Sequence, residues 1–201
     1  ECFGRQSQVN QIAIVIPTLG NPTNSDWIKV MSSKWTIIVV CDGGNCETIV
    51  DTVKLSTDQL GFSGAVNVGI RHAQRLGFSA VIVLNDDAVP EEGCLEGLAL
   101  AVGPSMGLYG PAVVEDGQVI LGYHRSALGH FRTAKSPNEV HYLPAVCLLM
   151  PSWARFDEGY VHGFEDFELC RRFHQMNLPV QVMTALRCDH QGGATCNRKS
   201  S

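Results

Sequence analysis

Two adjacent carboxylates, Asp86 and Asp87, follow the apolar run Ala80–Leu84 and a single asparagine, Asn85. Neighbouring carboxylates repel unless something cationic is close. A divalent ion with oxygen ligands would supply that charge. A second acidic pair, Glu165 and Asp166, opens a predicted helix at Gly163. Acids in a first turn complement the helix dipole, and one that faces a cleft can take a proton from a hydroxyl nucleophile. The dipole would keep it ionised at some cost in basicity. His190, in Cys188-Asp189-His190-Gln191-Gly192-Gly193, follows the last apolar run. Neutral imidazole is a common metal ligand. Each feature also has a plain structural reading, as a turn, a helix start or a solvated loop residue.

Chemistry of this kind needs a scaffold, and the first half of the chain supplies an alternating one. Ile12–Pro17 reads as a buried strand, followed by a short helix near Asn24–Met31 and a strand at Thr36–Cys41. A weaker strand at Thr52–Leu55 leads to a helix on which Val66, Ile70, Ala73 and Gly77 recur at helical spacing. Ser79–Leu84 is the next strand, and Pro90-Glu91-Glu92 reads as the start of a helix. The second half reads as a hairpin over Val113–Leu121, an aperiodic surface loop over His124–Asn138, and a strand over Val140–Met150. A helix bearing Phe164, Phe167, Phe173 and Met176 follows, with a last strand at Pro179–Met183. The expected fold is α/β, with one mostly parallel central sheet flanked by helices and a small antiparallel annex. Ligands of such sheets bind beyond the carboxyl ends of the strands. Thr18, Asp42 and Asn85-Asp86-Asp87 occupy three of those ends.

With 201 residues, 45% of them hydrophobic and 17% charged, one domain with a real core is expected over 1–201, with 1–10 and 194–201 flexible. A net charge of −5 argues against a nucleic-acid-coating protein, which would carry a basic stripe. No apolar stretch approaches the roughly 18–20 residues of a membrane span, and the N-terminal residues show no signal-peptide pattern. The eight cysteines are scattered without a CxxC pair. They are expected to be reduced, in a cytoplasmic protein that is at most peripheral to a membrane.

The order and spacing of these motifs resemble family-2 glycosyltransferases of the GT-A fold, particularly the rhamnosyltransferase-like branch, from about Ile12 to Gly193. Ile14-Val15-Ile16-Pro17-Thr18 resembles the opening strand, and Val39-Val40-Cys41-Asp42-Gly43-Gly44 the family's V-V-D-D-G-S. Gly61-Phe62-Ser63-Gly64-Ala65-Val66-Asn67-Val68-Gly69-Ile70 is similar to its G-F-x-x-x-x-N-x-G-I segment. Leu84-Asn85-Asp86-Asp87 is similar to the L-N-P-D or D-x-D turn. Phe156-Asp157-Glu158, with Phe164-Glu165-Asp166-Phe167-Glu168-Leu169-Cys170-Arg171-Arg172, resembles F-D-E…F-E-D-x-D-L-C-x-R. His190 and Gly193 resemble a late H-x-x-G. The chain departs from the pattern at Cys41, Gly44, Asp86 and Ala145, the last standing where that branch often has Gly.

The resemblance implies inverting transfer from a nucleoside-diphosphate sugar (UDP-, GDP- or dTDP-linked) to a glycan or other acceptor hydroxyl. In that reading Thr18 and Asp42 seat the base, with Gly64, Asn67, Asn85 and Asp86 lining the nucleotide side. Asp87 and His190 hold Mn²⁺ or Mg²⁺. Asp166 is the base, and Glu165 orients the acceptor. Two other readings stay open: a sugar-1-phosphate nucleotidyltransferase, and a catalytically silent nucleotide-sugar-binding domain. The first would need a basic, Gly-rich loop after the first strand, where the chain has Thr18-Leu19-Gly20-Asn21-Pro22.

Overall fold

The structure is a computed structural model that describes residues 11–44, 46, 47, 49, 52–126, 130–160 and 163–192. Cys2, Gly193, Cys196 and both chain ends lie outside the described residues. Four strands open the fold: β1 (Ile12–Thr18), β2 (Thr36–Asp42), β3 (Val53–Thr57) and β4 (Ala80–Leu84). Between them lie helices α1 (Ser25–Met31) and α2 (Gly61–Arg75). Then come β5 (Ala88–Pro90), α3 (Cys94–Ala99), β6 (Leu108–Glu115) and β7 (Gln118–Ile120). The remainder is β8 (Tyr123–Arg125), β9 (Phe131–Thr133), β10 (Cys147–Pro151), α4 (Glu165–Gln175) and β11 (Val180–His190).

The large sheet has the order β3-β2-β1-β4-β10-β6-β11-β5, with β7 paired to β6. Strands β1, β2, β3, β4, β6 and β11 run in one direction, so the sheet is mostly parallel, and β10, β5 and β7 oppose them. A separate two-stranded antiparallel sheet is formed by β8 and β9. These polarities bring the ends of β1, β2, β4, β6 and β11 and the start of β10 to one edge.

The central strands are buried on both faces, which explains their unbroken apolar runs. Along β1, Ile12, Ile14 and Ile16 face one core while Ala13 and Val15 face the other. Helices α1 and α3 cover the first face through Ile28, Leu95 and Leu98. Helices α2 and α4 cover the second through Val66, Ile70, Leu169 and Phe173. Helix α2 approaches so closely that a Cβ on Gly69 would fall 2.3 Å from Val15 Cγ1. No helix among the described residues is long and apolar enough to cross a membrane.

Several elements differ from their sequence expectation. Pro90 ends a strand rather than starting a helix, because Gly93 at φ 79° delays helix α3 to Cys94. The expected loop over 124–138 contains β9, most of β8 and a 3-10 turn at Pro137–Glu139. Regular strand structure in 140–150 begins only at Cys147, since Pro144 has no N–H for a ladder. The last strand continues to His190, with an irregularity between Met183 and Arg187. The expectation of reduced cysteines fails at one place, where Cys41 and Cys46 form a disulfide. Cys94, Cys147, Cys170 and Cys188 are buried free thiols.

Candidate functional site

Strand β4 ends in a tight turn, closed by the Ala88 N–H donating to the Asn85 carbonyl at 3.2 Å. Asp86 points towards β1. The Thr18 hydroxyl donates to Asp86 Oδ2 at 2.6 Å and accepts from the Gly20 N–H at 3.2 Å. The Asp86 carbonyl accepts from the Thr23 hydroxyl at 2.7 Å and from the Asn24 N–H at 3.1 Å. The Asn24 side chain donates to the carbonyls of Asn85 and Ala88 at 3.2 and 2.7 Å. Thr18, Asn24, Asp86 and Asp87 are all buried. The loop after β1 and the turn after β4 thus form one braced floor. The Thr18 hydroxyl is shared between Asp86 and the Gly20 carbonyl, 2.7 Å away.

Asp87 faces the other way, towards β11. The turn runs on into β5, which pairs antiparallel with the end of β11 so that Ala88 stands opposite His190. The Gln191 N–H donates to the Asp87 carbonyl at 3.1 Å. His190 Nε2 consequently lies 3.2 Å from Asp87 Oδ1 and 3.4 Å from Asn85 Nδ2. On the far side of the ring, Nδ1 is 3.8 Å from Glu115 Oε2. The bond to Asp87 raises the histidine pKa and outweighs the opposing effect of burial. Glu115 was read only as part of a hairpin turn. Parallel pairing of β6 with β11, with Glu115 opposite His190, is what makes it a neighbour.

Asp166 reaches the same edge from α4. It accepts from the Phe167 N–H at 2.8 Å, and the backbone of Ala145 lies close enough to favour its charged form. Burial, reinforced by the charge of Glu165, pushes its pKa up to about 6. The next residue along, Val146, accepts the Asn85 N–H at 2.9 Å. Two consecutive residues ahead of β10 therefore hold the acidic helix head on one side and the Asn85 turn on the other. Glu165 Oε2 is buried with no hydrogen-bond partner. Burial, with the nearby charges of Asp166 and Glu115, raises the pKa of Tyr123, another residue not foreseen.

The residues expected on a nucleotide side divide differently. Asp42 Oδ1 accepts from the Thr57 hydroxyl and the Leu60 N–H, each at 2.7 Å, and Oδ2 from the Gly61 N–H at 2.7 Å. It caps the start of α2. Asn67 donates to the Phe156 carbonyl and Glu158 Oε1, and accepts from the Phe156 N–H, each at 2.9 Å. Its amide ties α2 to the Phe156-Asp157-Glu158 segment and spends both donors doing so. Gly64 allows close packing within α2, where a Cβ would lie 2.6 Å from Leu60 Cβ.

No group of three or more His, Cys, Asp or Glu side chains among the described residues is arranged to hold a metal. The Asp87–His190 pair is in direct hydrogen-bond contact, and an ion bound there would have to replace that bond at a similar separation. Two ligands at right angles on Mg²⁺, each about 2.1 Å away, would lie about 3 Å apart. Ions of this class take few protein ligands and complete their shell with substrate phosphates and water. A carboxylate hydrogen-bonded behind the histidine is the usual outer partner of such a ligand; His190 Nδ1 is buried without a hydrogen-bond partner, and Glu115, 3.8 Å away, is the carboxylate placed to become one.

No family model matches the chain, and no curated protein matches it. Among solved structures the chain is similar to A197 from STIV, at 10% identity and a TM-score of 0.54. The match covers 90% of this chain and 85% of that one. At such identity the likeness concerns the fold alone.

Proposed function

We propose that this chain is an inverting, metal-dependent glycosyltransferase of the GT-A type, moving a sugar from a nucleoside-diphosphate sugar to an acceptor hydroxyl. The observation that carries the reading is the Ala145-Val146 bridge. It sets a carboxyl group with a pKa of about 6 across from a turn bearing an aspartate–histidine pair. A base and a diphosphate-holding group brought to the same sheet edge suit in-line displacement at a sugar carbon.

Asp87 and His190 would hold Mn²⁺ or Mg²⁺, which when bound neutralises charge appearing on the diphosphate leaving group. The braced floor of Thr18, Asn24 and Asp86 fixes the direction in which Asp87 points. Asp42 caps α2 and Asn67 clamps it, shaping the nucleotide side, with Asp86 the more direct candidate for a ribose contact. Asp166 accepts the acceptor proton as that oxygen attacks the anomeric carbon from the face opposite the leaving group. A pKa near 6 keeps this carboxylate ionised at neutral pH and more basic than an ordinary aspartate. Glu165 Oε2, buried without a partner, is available to accept from the acceptor.

The test is a thermal-shift screen of UDP-, GDP- and dTDP-sugars with and without Mn²⁺. Ligands that bind the folded state raise the melting temperature by mass action. A rise with one base, strengthened by metal and followed by release of the nucleoside diphosphate, is expected. A flat response to every donor, with no donor consumed, would sink the proposal.

A further inference from the structure

The β8–β9 hairpin and the head of α4 meet in an aromatic cluster that the donor chemistry leaves unused. Phe167 is its centre, with ring centroids 4.3 Å from Phe131, 4.9 Å from Tyr142, 5.5 Å from Tyr123 and 5.7 Å from Phe164. Two of these rings face solvent, Phe131 at 40% exposure and Phe164 at 57%. Leaving two large neighbouring rings in water forfeits hydrophobic stabilisation, and clustered exposure of this kind marks an interaction site. Phe164 is also held at φ 70°, a conformation uncommon for a bulky residue and a reason to look for function.

The cluster adjoins polar groups of a particular kind. Phe167 donates its N–H to Asp166, and Glu165, with its unpartnered Oε2, lies between Phe164 and Asp166 in the chain. Arg125 stands opposite Phe131 in the hairpin ladder and so on the same face. Apolar ring faces bordered by hydrogen-bond acceptors and a donor complement a pyranose. Its C–H face is apolar and its rim is hydroxyl. An alkyl chain would have to lie against the carboxylates and desolvate them. A donor nucleobase belongs elsewhere, near Asp42 on β2. That strand is separated by β1 and β4 from β10, which follows the hairpin and precedes α4 in sequence.

We infer that the acceptor is a carbohydrate whose ring stacks on Phe164 and Phe131 while one of its hydroxyls reaches Asp166. The inference rests on the glycosyltransferase reading and adds the acceptor class and the residues that select it.

The experiment is ligand-observed NMR of the whole chain with the methyl glycosides of glucose, galactose, mannose and rhamnose, and with n-octanol as the apolar control. At least one glycoside should bind with its ring C–H protons shifted upfield by the aromatic faces. Phe164→Ala combined with Phe131→Ala should weaken that binding roughly tenfold, the value of a ring pair at about 1.4 kcal/mol. Phe164→Trp should preserve it. Phe131 also packs on Phe167, so circular dichroism checks the fold of the double variant, and Phe164→Ala alone, at the more exposed ring, should weaken binding without disturbing the hairpin. Absence of glycoside binding, binding indifferent to the loss of both rings, or preference for octanol would each overturn the inference. No donor is present, so such a failure is separate from failure of the donor screen. A stacked glycoside on a chain that responds to no donor would keep the ring site but remove its role as an acceptor site.

Discussion

Asp87 Oδ1 and His190 Nε2 lie 3.2 Å apart, although 102 residues separate them in the chain. The pairing of β5 with the end of β11 creates this contact. Asp86, adjacent in sequence, is turned the opposite way and held by Thr18. The two aspartates should therefore respond differently to removal. Asp87→Ala should abolish Mn²⁺ binding measured by calorimetry in the presence of nucleoside diphosphate. Asp86→Ala should retain metal binding while removing the side-chain contact to Thr18 and weakening donor affinity; the Thr23 bond to the backbone carbonyl remains.

Asp166→Asn should cost about 10²–10⁴-fold in transfer rate, the usual worth of a general base. The same change should stabilise the fold at neutral pH. A carboxyl whose pKa rises from 3.8 to about 6 on folding binds its proton more tightly in the native state. Its penalty is absent below pH 3.8, grows as pH rises towards 6, and is complete above that. Its size is on the order of 3 kcal/mol. Melting temperatures of the variant and parent should diverge at pH 7.5 and converge near pH 4.

The pH–rate profile should report the same group. Transfer measured at saturating donor and metal should fall as pH drops through about 6, as Asp166 takes up its proton. An acid limb near 4 would remove Asp166 from the role of base.

Gly192 sits at φ 62°, and a Cβ there would lie 2.2 Å from Glu115 Oε1. Gly192→Ala should therefore displace the carboxylate behind His190 and strain the backbone. Loss of such an outer partner typically lowers metal affinity about 10–100-fold. Mn²⁺ titration of the folded variant should detect this, with Glu115→Gln as the companion change.

Asn67→Ala should act mainly on stability. It leaves the Phe156 N–H and carbonyl without their partner in a buried setting, at a cost of about 2–3 kcal/mol. The urea midpoint should fall accordingly. A large loss of nucleotide affinity at unchanged stability would instead mark Asn67 as a direct ligand contact.

Much of the scaffold was legible because it is local. The runs Ile12–Pro17, Thr36–Cys41 and Ser79–Leu84 are apolar enough to be strands covered on both faces. The Asn85 turn and the acidic start of α4 announce themselves by residue type within a few positions. Pro90 was misread because proline followed by acids also fits a helix start, whereas the pairing of Ala88–Pro90 with β11 overrode that signal. The hairpin over β8 and β9 was hidden for a similar reason. Its short strands owe their place to Phe131 and Tyr123 packing on Phe167, a residue far along the chain.

By itself, then, the sequence determined the strand-end positions of Thr18, Asp42 and the Asn85 turn, and the helix-head position of Asp166. Only the tertiary structure decided their partners. It gave Thr18 to Asp86, turned Asp42 into a helix cap and Asn67 into a clamp, and placed Glu115 behind His190. Local patterns are set by backbone sterics and by burial over a few residues. Which carboxylate meets which partner depends on strand order and register, and those minimise the free energy of the whole sheet.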